Sequence, residues 1–285
     1  MFFFRRKDAK KVKGLQGIAK LMPLFLAGRE GNVNKYMFSE SAKYFDEYIK
    51  LKKETDGVTY TYRDLVLAIL IRCFRCFPRL NRFIIAKRFY QRNSIDVAFM
   101  VHQSLKCDKP EVSVKASFSG DETISEIKDK LDSAIETAVK SISTSDKTAR
   151  QMARTPLLFL RMAIRMLRIA DYFGWLSKKF MFETSPFHSS IFFADLKSIG
   201  LGPVSHHLYN FGNCSFFATL GKEKAMPVVG DDGQLAIDKI FEVAISVDDR
   251  CVDGLYFAYM VRYIKKILRD MTILERAPLE SEIKE

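Results

Sequence analysis

Proton transfer at neutral pH most often relies on histidine. The 285-residue sequence has four of them, His102, His188, His206 and His207. His206 and His207 are adjacent in a turn-rich segment, 202–209, and two hydroxyl side chains, Ser198 and Ser205, lie close to them in sequence. An imidazole near a hydroxyl can activate a nucleophile or move a proton during group transfer. This segment is therefore the first candidate for chemistry.

A second group of ionisable residues spans 248–254 and reads Asp-Asp-Arg-Cys-Val-Asp-Gly. The apolar run 240–246 before it is typical of a strand. After it, apolar residues recur at helical spacing along one face. These residues are Phe257, Met260, Val261, Ile264 and Ile267. The segment is therefore predicted to join a strand to a helix.

Several familiar chemistries are excluded. The sequence has no Gly-x-x-x-x-Gly-Lys-Ser/Thr, Gly-x-Gly-x-x-Gly or Gly-x-Ser-x-Gly motif. The histidine pair has no His-x-x-x-His spacing or carboxylate partner, so we expect no bound metal. Cys73 and Cys76 form a single Cys-x-x-Cys in an apolar helical run and are predicted to be buried small residues. Five cysteines, an odd number, favour free thiols in a reducing compartment.

Composition and charge narrow the class of protein. Apolar residues make up 48% and charged residues 28%, which excludes general disorder. The formal charge of +12 favours an anionic partner, whether nucleic acid, a membrane surface or a phosphate-bearing cofactor. The densest basic run predicts a solvated N-terminal segment over about 1–15. Without a signal-peptide pattern or a spanning apolar stretch, we expect a cytoplasmic protein with no transmembrane segment.

The periodicity predicts a mixed α/β order in one domain covering 1–285. Helices are predicted at 39–53, 65–77, from 121, from 155 and after 254, and strands at 58–62, 82–91, 95–102, 111–118, 191–194, 215–220 and 240–246. Thr61 and Asp64 have capping-box spacing. The helix from Thr155 is predicted to be a surface helix with a solvated basic face formed by Arg161, Arg165 and Arg168. Binding of that face to a membrane or an anionic ligand is the alternative. The charged tail, about 277–285, is predicted to fray.

The segment 248–254 resembles the signature Asp-His-Arg-x-x-Asp-Gly of the acyltransferase components of 2-oxoacid dehydrogenase complexes. Chloramphenicol acetyltransferase shares this signature as His-x-x-x-Asp-Gly. Residues 77–81, Phe-Pro-Arg-Leu-Asn, resemble the family's Pro-x-Leu-Asn segment, and 191–202 takes the place of its Thr-Ile-Ser-Asn-Leu-Gly strand and turn. These correspondences run in order from Lys43 to Leu268.

The resemblance implies a two-layer, mixed-sheet α/β acyltransferase fold. It also implies a homotrimer with active sites between subunits, and a channel that coenzyme A and the acyl acceptor enter from opposite ends.

Two positions depart from the family pattern. The family uses the signature His as base and a Ser on the preceding strand as oxyanion donor, and its final Asp pairs with an Arg. Here the base position is Asp249 and the Ser position is Ala194, whereas Asp253 and Gly254 are retained. An ordinary Asp, with a pKa near 4, is a poor base for a thiol.

The histidine segment, 202–209, offers a replacement for the family base. His206 or His207 could take the proton, with Asp249 orienting the ring, and Ser198 or Ser205 could supply the hydroxyl. The alternative is that the histidine pair only satisfies backbone groups in a loop.

Together these features predict a coenzyme A-dependent acyltransferase-like protein with a rearranged or impaired site. It would transfer an acyl group to a thiol, hydroxyl or amine acceptor. The alternative is a non-catalytic trimeric binding or scaffold protein of the same fold.

A basic nucleic-acid or membrane-surface binder is a third class, but aromatic and basic residues are not interleaved as in a nucleic-acid groove. We therefore expect no specific nucleic-acid partner. The sequence has no lipoyl-type domain, so it is not expected to be a complete acyltransferase component.

Overall fold

The computed structural model describes residues 5–15, 17–26, 28–102, 111–140, 155–230 and 233–284, so Cys107 lies outside the described residues. The α-helices are α1 Ile18–Phe25, α2 Lys43–Thr55, α3 Tyr62–Cys76, α4 Ile124–Lys140, α5 Leu157–Phe173 and α6 Gly254–Arg269. The strands are β1 Ala9–Lys11, β2 Val33–Ser41, β3 Arg82–Ile85, β4 Arg88–Arg92, β5 Ile95–His102, β6 Glu111–Phe118, β7 Ile191–Asp195, β8 Phe216–Leu220, β9 Lys224–Val229 and β10 Leu235–Asp248.

Most strands form one mixed sheet in the order β2-β10-β8-β7-β5-β6, with β9 paired to the first half of β10. β7 lies parallel to β5 and β8, whereas the other neighbours are antiparallel. A separate antiparallel sheet has the order β1-β4-β3. The mixed α/β fold predicted from the sequence is therefore confirmed.

The two faces of the large sheet are covered differently. Side chains alternate along β7 and β8, as strand geometry requires. Phe193 and Phe216 enter the main core with α2, α3, α4 and α6, whereas Phe192 and Phe217 face a smaller cluster on the opposite side. Leu208, from the loop between β7 and β8, belongs to that smaller cluster. Helices therefore form one layer, and loop residues cover the other face.

Helix α3 lies at the centre of the helical layer, with 13 of its 15 residues buried. Its predicted capping box is present, because the Thr61 side chain accepts from Asp64 N–H and the Asp64 carboxylate accepts from Thr61 N–H. Cys73 and Cys76 are both fully buried, as predicted. The strand predicted at 58–62 is wrong, since 58–61 is irregular and residue 62 already belongs to the helix.

The described part of the N-terminal segment is not simply solvated. β1 pairs with β4, and Arg6 is buried with its guanidinium bound to Asp8 and Asp171 at 2.8 Å each. The lysines of the segment are exposed, as expected. The expectation fails at Arg6 because two carboxylates and the rings of Phe83 and Tyr90 give a buried cation a site.

The C-terminal tail is docked through residue 284, which corrects the prediction that it frays. Glu282 is buried and accepts from Arg276, and the backbone N–H of Lys284 donates to the carbonyl of Cys76 at 2.6 Å. The buried guanidinium of Arg72 donates to the carbonyl of Arg276. Hydrogen bonds with α3 and the ion pair between Arg276 and Glu282 therefore hold a segment whose composition alone suggested disorder.

Candidate active site

A cavity of about 680 Å³ lies on the loop-covered face of the large sheet. It contains the position that matches the family Ser, Ala194 at the end of β7, and one of the candidate bases, His206. Most of its wall is apolar, which is usual for a ligand site with a few placed polar groups. Its lining residues are Arg63, Phe99, Met100, Val101, Pro186, Phe187, Phe192, Ala194, Asp195, Leu196, Ser198, Ile199, His206, Tyr209 and Phe217.

The loop that carries His206 is fixed against β8. The backbone N–H of Val204 donates to Thr219 Oγ1 at 3.1 Å, and the same hydroxyl donates to the Val204 carbonyl at 2.9 Å. Pro203 lies so close to Gly221 that a Cβ added there would be 2.2 Å from the proline ring. A glycine at 221 therefore allows the loop to cross the end of β8 and place His206 over the sheet.

His206 is held in one ring orientation and one tautomer. Its ring stacks on Phe217 with centroids 4.1 Å apart, and Nδ1 lies 2.7 Å from the carbonyl oxygen of His207. A carbonyl can only accept, so the neutral ring carries its proton on Nδ1. Nε2 then keeps a lone pair and can accept a proton. The histidine thus satisfies a backbone group, as the alternative predicted, and remains usable as a base.

Two further polar residues follow Ala194 at the cavity wall. Burial raises the pKa of Asp195 above its ordinary value, although hydrogen bonding from the Ser198 backbone partly opposes the shift. The Ser198 hydroxyl donates to the Asp195 carbonyl oxygen at 2.6 Å. The cavity thus contains an imidazole, a hydroxyl and a carboxyl group that resists ionisation.

The other sequence candidates do not line this cavity. His207 is exposed and stacks on His206 with centroids 4.4 Å apart, and Ser205 is exposed on the same loop. Asp249 lies at the end of β10, where its carboxylate accepts from Asn34 Nδ2 at 2.5 Å. Within one protomer the structure therefore brings His206 and Ser198 together, but not His207, Ser205 or Asp249.

The remaining signature residues stabilise the junction between β10 and α6. Asp253 caps α6 by accepting from the backbone N–H of Tyr256 at 2.8 Å, and it lies 3.6 Å from Arg79. Asp248 is fully buried and accepts two hydrogen bonds from the Arg250 guanidinium, at 2.8 and 2.7 Å. Arg29 lies 3.8 Å from the same carboxylate. These contacts give the signature a structural role here.

Sequence reasoning missed a buried Ser–His–Asp arrangement. His188 Nδ1 lies 2.7 Å from Ser185 Oγ, and His188 Nε2 lies 3.4 Å from Asp171. Burial lowers the pKa of His188, while the pKa of Asp171 is lowered by His188 and Arg6 despite its own burial. Ser185 is only 4% exposed, so a substrate cannot reach its hydroxyl, and the group serves to fix the end of α5. No sequence motif links these three residues.

The comparisons with known proteins agree with this architecture. The family model of the 2-oxoacid dehydrogenases acyltransferase (catalytic domain) matches residues 214–275, which include β8, β10, the signature and α6. The cubic core of the pyruvate dehydrogenase multienzyme complex is similar with a TM-score of 0.58 and 13% identity, over 93% of this chain and 94% of that one.

Two other solved structures share the fold. A probable dihydrolipoamide acetyltransferase from Listeria monocytogenes aligns with a TM-score of 0.54 and 15% identity, over 92% of this chain and 95% of that one. A chloramphenicol acetyltransferase aligns with a TM-score of 0.50 and 9% identity, over 91% and 99%. No curated protein matches the chain. The resemblance and the chloramphenicol acetyltransferase-like fold inferred from the signature are thus confirmed.

Proposed function

We propose that this protein is a coenzyme A-dependent acyltransferase with a rearranged site, in which His206 replaces the family base. The observation that carries the proposal is that His206 and Ala194, the family's Ser position, line the same apolar cavity. The imidazole and the strand position that the resemblance assigns to oxyanion binding therefore line one cavity. The hydrogen bond from Nδ1 to the His207 carbonyl leaves Nε2 as the proton acceptor.

The proposed step is a transfer from a thioester to a thiol, hydroxyl or amine acceptor. The acceptor loses its proton to His206 Nε2 as it attacks the thioester carbonyl carbon. The carbon–sulfur bond then breaks, and the proton on Nε2 passes to the departing coenzyme A sulfur. Ser198 supplies a hydroxyl in the cavity that could donate to the oxyanion after turning away from the Asp195 carbonyl.

The cavity is compatible with acyl-coenzyme A as substrate. Its apolar wall, formed in part by Phe99, Met100 and Phe192, suits an acyl chain and the pantetheine arm, while Arg63 is a cation in the same lining. The formal charge of +12 also favours a phosphate-bearing donor. The acyl acceptor enters the same cavity in this proposal.

The principal alternative is a non-catalytic scaffold of the same fold. It is favoured by one specific observation, namely that neither family catalytic side chain is present at 194 or 249. Under that alternative the parent protein has no turnover. The double substitution Ala194→Ser with Asp249→His would then create activity by restoring the family pair.

The experiment measures thiol release from acetyl-coenzyme A with a panel of acceptors, and the melting temperature with coenzyme A. We expect the parent to turn over and coenzyme A to raise its melting temperature. His206→Ala should lower the rate by roughly 10²–10⁴-fold, the usual contribution of a general base. His207→Ala is the matched control, because it removes a neighbouring imidazole that does not line the cavity, and its rate should stay within a few-fold.

Two results would contradict the proposal. A parent that turns over but is indifferent to His206→Ala would exclude His206 as the base. An inactive parent that gains activity from Ala194→Ser with Asp249→His would establish the scaffold alternative.

A further inference from the structure

Helix α5 is amphipathic and shows most of its apolar surface to solvent. The structure describes a single buried residue in this helix, Asp171 near its C-terminal end. Eight large apolar side chains are at least 42% exposed: Leu157, Leu158, Phe159, Met162, Ile164, Met166, Ile169 and Tyr172. Exposed apolar surface of this extent usually marks an interaction site.

The charges interspersed with this apolar surface are all positive. Arg161, Arg165 and Arg168 recur at i, i+4 and i+7 and form one exposed stripe, and Lys178 follows beyond the helix. Asp171 is the single acidic residue between 155 and 180, and its carboxylate is buried against Arg6. Among the residues that the structure describes, no salt bridge or hydrogen bond neutralises these four cations.

The helix is attached to the rest of the molecule mainly at one end. Asp171 binds Arg6 and lies beside His188, whereas the first turns of α5 have no buried residue. Trp175, the one tryptophan of the chain, follows the C-terminal end of α5 and is 55% exposed. An indole at the edge of an apolar surface is typical of segments that lie at a membrane interface.

Helix α1 extends the same apolar surface. Pro23 and Leu26, in and after α1, line a cavity of about 420 Å³ together with Arg168 and Tyr172 of α5. The exposed apolar residues of α1 are Ile18, Leu21, Leu24 and Phe25. The two helices therefore lie next to each other at one region of the molecule.

From these observations we propose that α5, with α1 beside it, docks on the surface of an anionic lipid bilayer. The apolar side chains enter the interfacial region, and the arginine stripe binds lipid phosphates. The helix lies on the membrane and does not cross it. At 17 residues it is about 25 Å long and carries three arginines, and no described helix is long and apolar enough to span a bilayer.

The positive charge of α5 favours a lipid surface, and not the α5 helix of a second copy of the chain, as the partner that covers its apolar side chains. Pairing of α5 with α5 across a symmetric interface would place arginine stripes close together, and like charges repel. An anionic bilayer instead offers negative charge to every cation and an apolar layer to the side chains between them.

The test uses the whole protein with two kinds of vesicle, one of pure phosphatidylcholine and one of equal parts phosphatidylcholine and phosphatidylglycerol. We expect co-sedimentation with the anionic vesicles that weakens with added salt. Trp175 emission should shift to the blue on binding, because the single indole lies beside the docking helix.

Two pairs of variants separate the contributions of charge and apolar area. Arg161→Gln with Arg165→Gln should weaken binding roughly 30-fold, whereas Lys50→Gln with Lys53→Gln removes two exposed charges from α2 and should have little effect. Phe159→Ser with Met166→Ser should abolish the blue shift. Val229→Ser with Ile237→Ser, at two other exposed apolar positions, should leave it unchanged. Because all eight positions are exposed, each variant should fold like the parent. The melting temperature checks this.

Three outcomes would overturn the proposal. One is absence of binding to anionic vesicles, and the second is equal binding by the α5 variants and their controls. The third is a change in oligomer mass in the α5 variants without vesicle binding by the parent, which would identify α5 as a contact between copies.

Discussion

The His206 side chain has a partner on one ring nitrogen and an open cavity beside the ring. Its Nδ1 bonds to the next residue's carbonyl, and Phe217 supports the ring face. This arrangement fixes the tautomer without a carboxylate partner. The orienting role that the sequence suggested for Asp249 is thus filled, within a protomer, by a backbone carbonyl.

The ionised Asp195 side chain, which lines the cavity, should lower the stability of the folded protein. Burial raises its folded-state pKa, so its contribution to stability is most favourable below the unfolded pKa near 3.9 and declines as the pH rises through the folded pKa. Asp195→Asn should therefore raise the melting temperature at pH 7 and remove this decline.

The control for Asp195→Asn is Asp129→Asn, which changes an exposed carboxylate on α4. Its melting temperature should follow that of the parent at each pH. An Asp195→Asn protein that melts below the parent at pH 7 would show that the carboxylate is stabilising, in conflict with its burial.

Residue types could be predicted from the sequence, but their partners could not. The sequence alone showed the histidine segment, and it showed that Ala194 and Asp249 stand at the positions that match the family Ser and His. The choice of His206 over His207 depends on which ring stacks on Phe217, and the Arg29 contact with Asp248 joins distant parts of the chain. Such contacts depend on the assembled sheet and leave no local pattern.

At the scale of elements, the junction of β10 and α6 is stabilised by residues on either side of Asp249, the position that matches the family base. Asp248 and Arg250 form a buried pair at the end of the strand, and Asp253 caps the helix three residues later. The two ends of the signature therefore maintain the turn.

Asp253 should contribute to stability as a helix cap and not to catalysis. Asp253→Ala should lower the free energy of unfolding by about 1 kcal/mol, the usual cost of losing an N-cap, whereas Asp253→Asn should be nearly neutral because asparagine caps equally well. Denaturant unfolding measures both. The turnover of either folded variant should equal that of the parent, and a large loss of rate in Asp253→Asn would show that the charge acts in the reaction.

Elements with strong local signals were predicted well, and those stabilised by distant contacts were not. Thr61 and Asp64 form the expected capping box, and the alternation at 111–118 is the observed strand β6. The tail was predicted to fray because its composition is charged, yet Arg72 and Cys76 of α3 hold it. The sequence predicted α5 as a surface helix with a solvated basic face. It did not predict that the apolar side chains would also be exposed, because periodicity does not show what covers the apolar face of a helix.

At the scale of the whole molecule, the cavity and Asp249 lie at different places in a single protomer. The resemblance to the acyltransferase family implies active sites between the subunits of a trimer. In such a homotrimer, Asp249 of one protomer could lie towards the cavity of the next.

The assembly can be measured directly. Light scattering should report about 98 kDa, three times the chain mass of 32.8 kDa, at micromolar concentration. If a neighbouring subunit completes the cavity, as the resemblance implies, dilution below the dissociation range should lower the specific activity in step with the mass. His206→Ala serves as the control, since it should retain the trimer mass while losing turnover. A monomer of constant mass with undiminished specific activity on dilution would show that one protomer holds the complete site.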